Sequence, residues 1–212
     1  MKHTLYFSPG ACSLAPHILL EWIGAPYEIV KVSPGSIELY NLNSSGTVPV
    51  LTRTDGWKLS QAGAIITYLV ERFPEKCLGG DRTVDGIAEF AHWIAFFTGD
   101  LHPAFFPIFA PQRYISAKAE DHTNSEDELK MVRLAGELLV IKHLIILNNH
   151  LESRRYILDQ KSALDAYAFP MLRWAQMKLP NGLESFGNLN RFFKDLSQDP
   201  QVVQVLYREG LA

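Results

Sequence analysis

The residue pattern changes character once, between residues 74 and 84, and that change limits the folds open to the chain. Before it, strand-like and helix-like segments alternate. After it, the segments carry the three-to-four-residue apolar spacing of helices. Pro74, Gly79 and Gly80 stand among charged residues in this interval, the composition of a boundary between structural units. A chain of 212 residues can form one large domain or two small ones. The pattern predicts a small α/β domain over residues 1–78, a linker over 79–85 and an all-helical domain over 86–212.

Within the first part, Thr4 to Phe7 reads as a short apolar strand and Ser13 to Gly24 as a helix. Ser13 is a favoured N-cap type, Pro16 falls in the first turn where a missing N–H costs little, and Gly24 marks the end. Leu14, Ile18 and Trp22 recur every four residues on one face. Tyr27 to Val32 is a second strand, broken by Ser33-Pro34-Gly35. Val48 to Leu51 and Trp57 to Leu59 read as a hairpin around Thr54-Asp55-Gly56, and Gln61 to Phe73 as a helix stopping before Pro74. The order is βαβ, a loop, then ββα. In the second part, residues 85 to 109 read as a long aromatic helix bent near Pro103 and Pro107. Residues 124 to 151 form another long helix. Ser162-Ala163-Leu164-Asp165 has the spacing of a capping box, and the helix it opens runs through Trp174 despite Pro170. Shorter helices span about 186–197 and 200–208.

Composition excludes several function classes. Net charge is −3, and no basic stripe marks a nucleic-acid or membrane surface. The most apolar run, Leu138 to Leu147, contains Lys142 and His143 and is too short to span a bilayer; it reads as a buried helix. Met1-Lys2-His3-Thr4 leads straight into a strand pattern rather than a signal peptide. The two cysteines, Cys12 and Cys77, form no CxxC pair, no metal-ligand spacing is present, and a cytoplasmic, reducing setting is expected.

Chemistry points to Cys12. It follows Ser8-Pro9-Gly10 at a strand-to-helix turn, beside the free N–H groups of a helix start, which favour a thiolate. Its thiol is therefore expected to be accessible and more acidic than a free cysteine. Three further segments could converge on it. Pro49 opens a strand; a cis Val48–Pro49 bond would turn the Val48 backbone toward a peptide-like ligand. Ser60-Gln61-Ala62 enters the third helix, whose free amides can bind a carboxylate. Asp100-Leu101-His102 brings a histidine from the second domain.

These segments together resemble the glutathione transferases. Ser8-Pro9-Gly10-Ala11-Cys12-Ser13-Leu14-Ala15-Pro16-His17 is similar to the opening motif of the bacterial beta class, and Asn43-Ser44-Ser45-Gly46-Thr47-Val48-Pro49 to the Val-Pro loop of the wider superfamily. Ser162 to Tyr167 resembles the capping box of the family's sixth helix. The resemblance implies a thioredoxin-like N-terminal domain, an all-α C-terminal domain and a homodimer. It implies glutathione as co-substrate, bound by Ser13, Thr47, Val48, Pro49, Gln61 and Ala62, with Cys12 near the glutathione sulfur and His102 facing Cys12. The expected reactions are transfer of glutathione to a small hydrophobic electrophile and thiol–disulfide exchange through a mixed disulfide. Phe105, Phe109, Tyr114 and Trp174 are candidates for meeting the electrophile.

The chain also departs from the family. Gln61 replaces an acidic residue and Ala62 lacks a hydroxyl. The 33–43 loop has no Lys or Arg, and Ala95 stands at a position expected to be polar. Weaker glutathione binding follows. The alternative is a transferase-fold binding or regulatory protein with a weakened site.

Overall fold

The computed structural model describes residues 2–115 and 126–212. Strand β1 (His3–Phe7) leads through the cysteine loop to helix α1 (Leu14–Ile23), then to β2 (Tyr27–Lys31). Helix α2 (Ile37–Leu42) follows, then the hairpin of β3 (Val50–Arg53) and β4 (Lys58–Ser60), and helix α3 (Ala62–Arg72). The four strands lie in the order β2-β1-β3-β4. β1 runs parallel to β2 and antiparallel to β3, with Leu5 opposite Ile29 on one side and Leu51 on the other.

Alternation along β1 buries His3, Leu5 and Phe7 on one face. There Leu5 and Phe7 share the main core with Ile18 and Leu19 of α1 and Ile65 and Leu69 of α3. On the opposite face Tyr6, Val30 and Val50 pack around Leu39 of α2. The sheet is thus covered on both sides. Helix α2 lies within residues 33–43, where the sequence pattern predicts a loop. The helix is only six residues long, too short for periodicity to declare, and it depends on Ser36, whose hydroxyl accepts from the Leu39 N–H at 3.3 Å.

Beyond a 3₁₀ turn at Pro74–Lys76 every regular element among the described residues is helical. Helix α4 (Val84–Ala95) starts at Thr83, whose hydroxyl caps the Gly86 N–H. It runs into a π-helical segment, Phe96–Leu101, and then the short α5 (His102–Ala104) and α6 (Phe106–Phe109). The long helix expected over 85–109 is therefore re-wound before either proline, and Pro103 and Pro107 only complete the break. Helix α7 (Glu126–His150) is the second long helix; residues 124 and 125 of the expected span lie outside the described residues.

The reading of Leu138 to Leu147 as a buried run needs correction. Gly136, Val140, Leu144 and Leu147 are buried, but Leu138, Leu139, Ile145 and Ile146 are each 45% or more exposed. Among the described residues only one side of α7 is covered, so an apolar sequence has become a helix with two apolar faces and one covering layer.

Helix α8 (Ala163–Lys178) is the axis of the helical half, with twelve buried residues including Pro170. Helices α9 (Gly187–Ser197) and α10 (Pro200–Glu209) close the chain. Helix α1 packs against both α8 and α10, which joins the sheet-bearing half to the helical half. The Ala163 N–H also donates to the Leu78 carbonyl at 2.8 Å.

Candidate functional site

The loop between β1 and α1 is built by short-range bonds. Gly10 sits at φ +70°, in the left-handed region, and lets the chain reverse. The Ala11 N–H donates to Ser8 O, and the Leu14 N–H to Ala11 O, both at 3.0 Å. Ser13 holds the N-cap position of α1, but its hydroxyl caps nothing. It donates to Ser8 O and accepts from the Ser8 N–H, each at 3.2 Å, and the residue is fully buried. The cap expected from its type is replaced by a clamp across the loop. The structure places the Ser13 hydroxyl across the loop, on the Ser8 backbone.

Cys12 lies one residue before that clamp and is half-buried. Its Sγ–H donates to the Val48 carbonyl at 3.4 Å. The Val48–Pro49 bond is cis, as expected, and the Val48 backbone faces Cys12. The expected acidity of Cys12 is reversed. Burial pushes its thiol up to about 12, outweighing the Cys12 and Ser13 N–H groups that pull it down. The helix-start amides inferred from the sequence are present and act in the expected direction. Desolvation of the sulfur, which no sequence spacing reveals, is the larger effect.

Thr47 precedes the cis bond and is exposed; its carbonyl accepts from Asn43 Nδ2 at 2.8 Å. Gln61 stands at φ +74°, an unusual conformation for a side-chain-bearing residue, immediately before α3. Its side chain makes no capping bond and is exposed, while Ala62 is buried. Gly63 allows a close approach: a Cβ there would lie 2.7 Å from the Thr98 methyl of the π-helical segment. One cation that the 33–43 loop lacks is supplied from β4, where Lys58 Nζ reaches the Asn41 carbonyl at 3.2 Å.

The helical half meets this loop through aromatic rings. Trp174 of α8 donates its Nε1–H to the Gly10 carbonyl at 2.7 Å. His102 packs on Trp174 and on Phe106, with ring centroids 5.2 Å away in both cases. Burial lowers the His102 imidazole to about 4, so it is neutral at pH 7. Among the described residues the His102 side chain makes no hydrogen bond, and the Cys12 sulfur bonds to Val48 rather than to it. Phe105 is fully buried and so is core; Phe109 and Tyr114 are 42% and 52% exposed, and Trp174 is 6% exposed.

Two residues that carry the loop escaped the sequence reading. Glu209, at the end of α10, accepts the Gly10 N–H on one oxygen at 3.0 Å. Its other oxygen lies 2.7 Å from Nδ1 of His17 in α1, and both side chains are fully buried. His17 belongs to the opening motif, and nothing local marks a role for it. Glu209 did leave one signal. An acid in the last turn of a helix opposes the macrodipole, so some other partner has to hold it.

A covered four-stranded sheet, a cis-proline loop beside a cysteine at a helix start, and a helical half docked on that cysteine loop define a two-part thiol-site protein with a thioredoxin-like first half. Comparison places it further. The N-terminal domain of glutathione S-transferase matches residues 5–77. A glutathione S-transferase, GST-4.5, of Xanthomonas campestris pv. campestris is 36% identical over 211 residues, covering 98% of both chains. The solved beta-class glutathione S-transferase of Sphingomonas chungbukensis has 31% identity and a TM-score of 0.84, over 99% of this chain and 100% of that one. A sphingomonad glutathione S-transferase solved in complex with glutathione has 30% identity and a TM-score of 0.83, with the same coverage. The chain belongs to the glutathione S-transferase family.

Proposed function

We propose that this protein is a glutathione transferase that joins glutathione to small hydrophobic electrophiles, with Cys12 contacting the glutathione sulfur as a neutral thiol. The observation that carries the reading is the Cys12–Val48 contact, which brings a sulfur and a ligand-facing backbone segment together at a helix start. Val48 then pairs with the glutathione backbone, Thr47 and Pro49 shape that wall, and the amides that open α3 beside Gln61 and Ala62 receive the γ-glutamyl carboxylate. The glutathione thiol loses its proton to solvent. Its sulfur attacks the electrophilic carbon, and the leaving group departs with the electrons of the broken bond.

Thiol–disulfide exchange through Cys12 is the secondary activity in this reading. It requires a Cys12 thiolate to attack the glutathione sulfur of a mixed disulfide and expel the other partner as thiolate, after which a second glutathione, as thiolate, attacks the glutathione sulfur bound to Cys12, forming glutathione disulfide and freeing Cys12. A thiol that burial pushes up is held mainly in its protonated form at pH 7, so exchange is slow. His102, neutral and packed on Trp174, forms an aromatic wall for the electrophile with Phe109.

Residues 1–78 act in this scheme as the glutathione side and 86–212 as the electrophile side. A second copy of the chain covers the exposed apolar face of α7 around Leu138 and Ile145, together with Ile87 of α4. Among the described residues no helix is long and apolar enough to cross a membrane. Two unpaired cysteines suit the reducing cytoplasm.

The test is turnover with an aromatic electrophile and with a glutathione mixed disulfide, beside iodoacetamide labelling at pH 7. The expected result is conjugation exceeding exchange, and labelling of the exposed Cys77 while Cys12 stays intact. Failure to bind glutathione would refute the reading. Binding without turnover would return the protein to a binding role, and rapid alkylation of Cys12 would make exchange the main activity.

A further inference from the structure

Between α7 and α8 the chain runs beside α9 in a loop, residues 151–162, that is pinned at close intervals. Arg191 of α9 donates through Nη2 to the Leu151 carbonyl at 3.0 Å and to the Arg154 carbonyl at 2.7 Å. Asp165 accepts from the Ile157 N–H at 2.9 Å, and Lys161 pairs with Asp199 at 2.6 Å. Among these pins lies a cavity of about 290 Å³. Phe192 and Leu196 of α9, both buried, give it an apolar side, and Arg155, Tyr156 and Asp195 give it a polar one. The cavity stands apart from the cysteine loop. Asp199 in its wall is the N-cap of α10, and Glu209 at the far end of that helix holds Gly10. Ten residues of α-helix span about 15 Å.

Charge in this cavity is balanced but only half paired. Lys161 and Asp199 neutralise each other. Arg155 and Asp195 stay open: among the described residues neither side chain has a hydrogen bond or an ion pair, and the Arg155 guanidinium only lies over the Tyr156 ring at 5.5 Å. Asp195 also stands in the last turn of α9, where the macrodipole disfavours an acid, so it gains from an external cation. A simple anion drawn to Arg155 would meet Asp195, and a simple cation drawn to Asp195 would meet Arg155. A ligand carrying both charges satisfies both.

We propose that this cavity binds a free amino acid with an apolar side chain, its carboxylate on Arg155, its ammonium on Asp195 and its side chain against Tyr156 and Phe192. The site is separate from the transferase reaction, since no residue of the cysteine loop lines it. Its volume is at the lower end of small-molecule sites and suits one amino acid rather than a tripeptide. The bonds from Arg191, Asp165 and Lys161 fix the loop that carries Arg155 and Tyr156, so little ordering is left for the ligand to impose.

The probe is phenylalanine, titrated calorimetrically into the full chain. Phenethylamine, which lacks the carboxylate, and 3-phenylpropionate, which lacks the ammonium, should each bind about tenfold more weakly, the scale of one lost hydrogen bond to a charged group. Arg155→Gln and Asp195→Asn replace exposed side chains by neutral ones of similar size, so the unfolding temperature should hold. Each should weaken phenylalanine binding about three- to tenfold and leave glutathione affinity and turnover unchanged. Excess glutathione should not displace phenylalanine. Absence of phenylalanine binding at about 10 mM would overturn the proposal. Equal binding of either analogue, or unchanged affinity in both variants, would overturn it too. Displacement by glutathione would place the amino acid in the cysteine cleft, and the cavity beside α9 would then lose its assignment.

Discussion

Asp165 and Glu209 are the two carboxylates buried among the described residues, and each accepts a hydrogen bond from backbone N–H. Asp165 works locally. It accepts from the Ser162 N–H at 2.6 Å and the Ile157 N–H at 2.9 Å, so all its backbone partners lie within eight residues. Glu209 works across the whole chain. Its partners, His17 and Gly10, are 192 and 199 residues away, and Gly10 is two residues from Cys12. The same chemical group thus starts a helix in one place and pins the site loop in the other. A local carboxylate contributes to stability. A long-range one also sets the position of a reacting group, because it is the far end of the chain that holds Gly10.

The first way to break this contrast is Asp165→Ala. It strands two buried N–H groups, at about 1–3 kcal/mol each, and a fall of about 10 °C in the unfolding midpoint is expected. Activity per folded molecule should be unchanged; a specific loss of turnover would show that α8 transmits strain to the site. Next is Glu209→Gln, which keeps the size but leaves one acceptor oxygen where there were two. A smaller stability loss of about 1–3 kcal/mol is expected, with turnover reduced about tenfold per folded molecule as Gly10 and Cys12 lose their register. Calorimetry beside steady-state kinetics separates the two. Full turnover in Glu209→Gln would end the claim that the C-terminal helix positions the site.

The contrast also explains what the sequence could disclose. Ser162 and Asp165 are three apart, and that spacing has one common use, so the capping box was readable from the residues. Cys12, Val48 and Pro49 were readable as motifs, and the fold class followed from alternation giving way to helical spacing. Glu209 was not readable, because nothing local pairs it with His17. The acidity of Cys12 was misjudged for a related reason: amides at a helix start are local and visible, whereas the enclosure that desolvates the sulfur is assembled by distant segments. Helix α2 was missed because six residues carry too little period, and the open face of α7 because apolarity does not say which face is covered.

The smallest expected effect sharpens the local half of the comparison. Asp165 has two backbone N–H groups, the Ser162 hydroxyl and the charge of Lys161 to favour its anion, yet burial outweighs them and raises its carboxyl to about 7. In the unfolded chain an aspartate sits near about 3.9. Between about pH 4 and 7 the folded protein therefore keeps a proton that the unfolded chain has released. By linkage, stability from this group is fully present below about pH 4 and is lost as pH rises through about 7. The slope can reach at most about 1.4 kcal/mol per pH unit. Asp165→Asn cannot ionise, so the stability gap between wild type and Asp165→Asn should change by up to that amount per unit across the window and level off on either side. Denaturant unfolding at a series of pH values measures it. A gap that instead widened in favour of wild type as pH rose would mean that the N–H donors outweigh burial, and that Asp165 holds α8 as a full anion, the stronger form of a cap at a helix start.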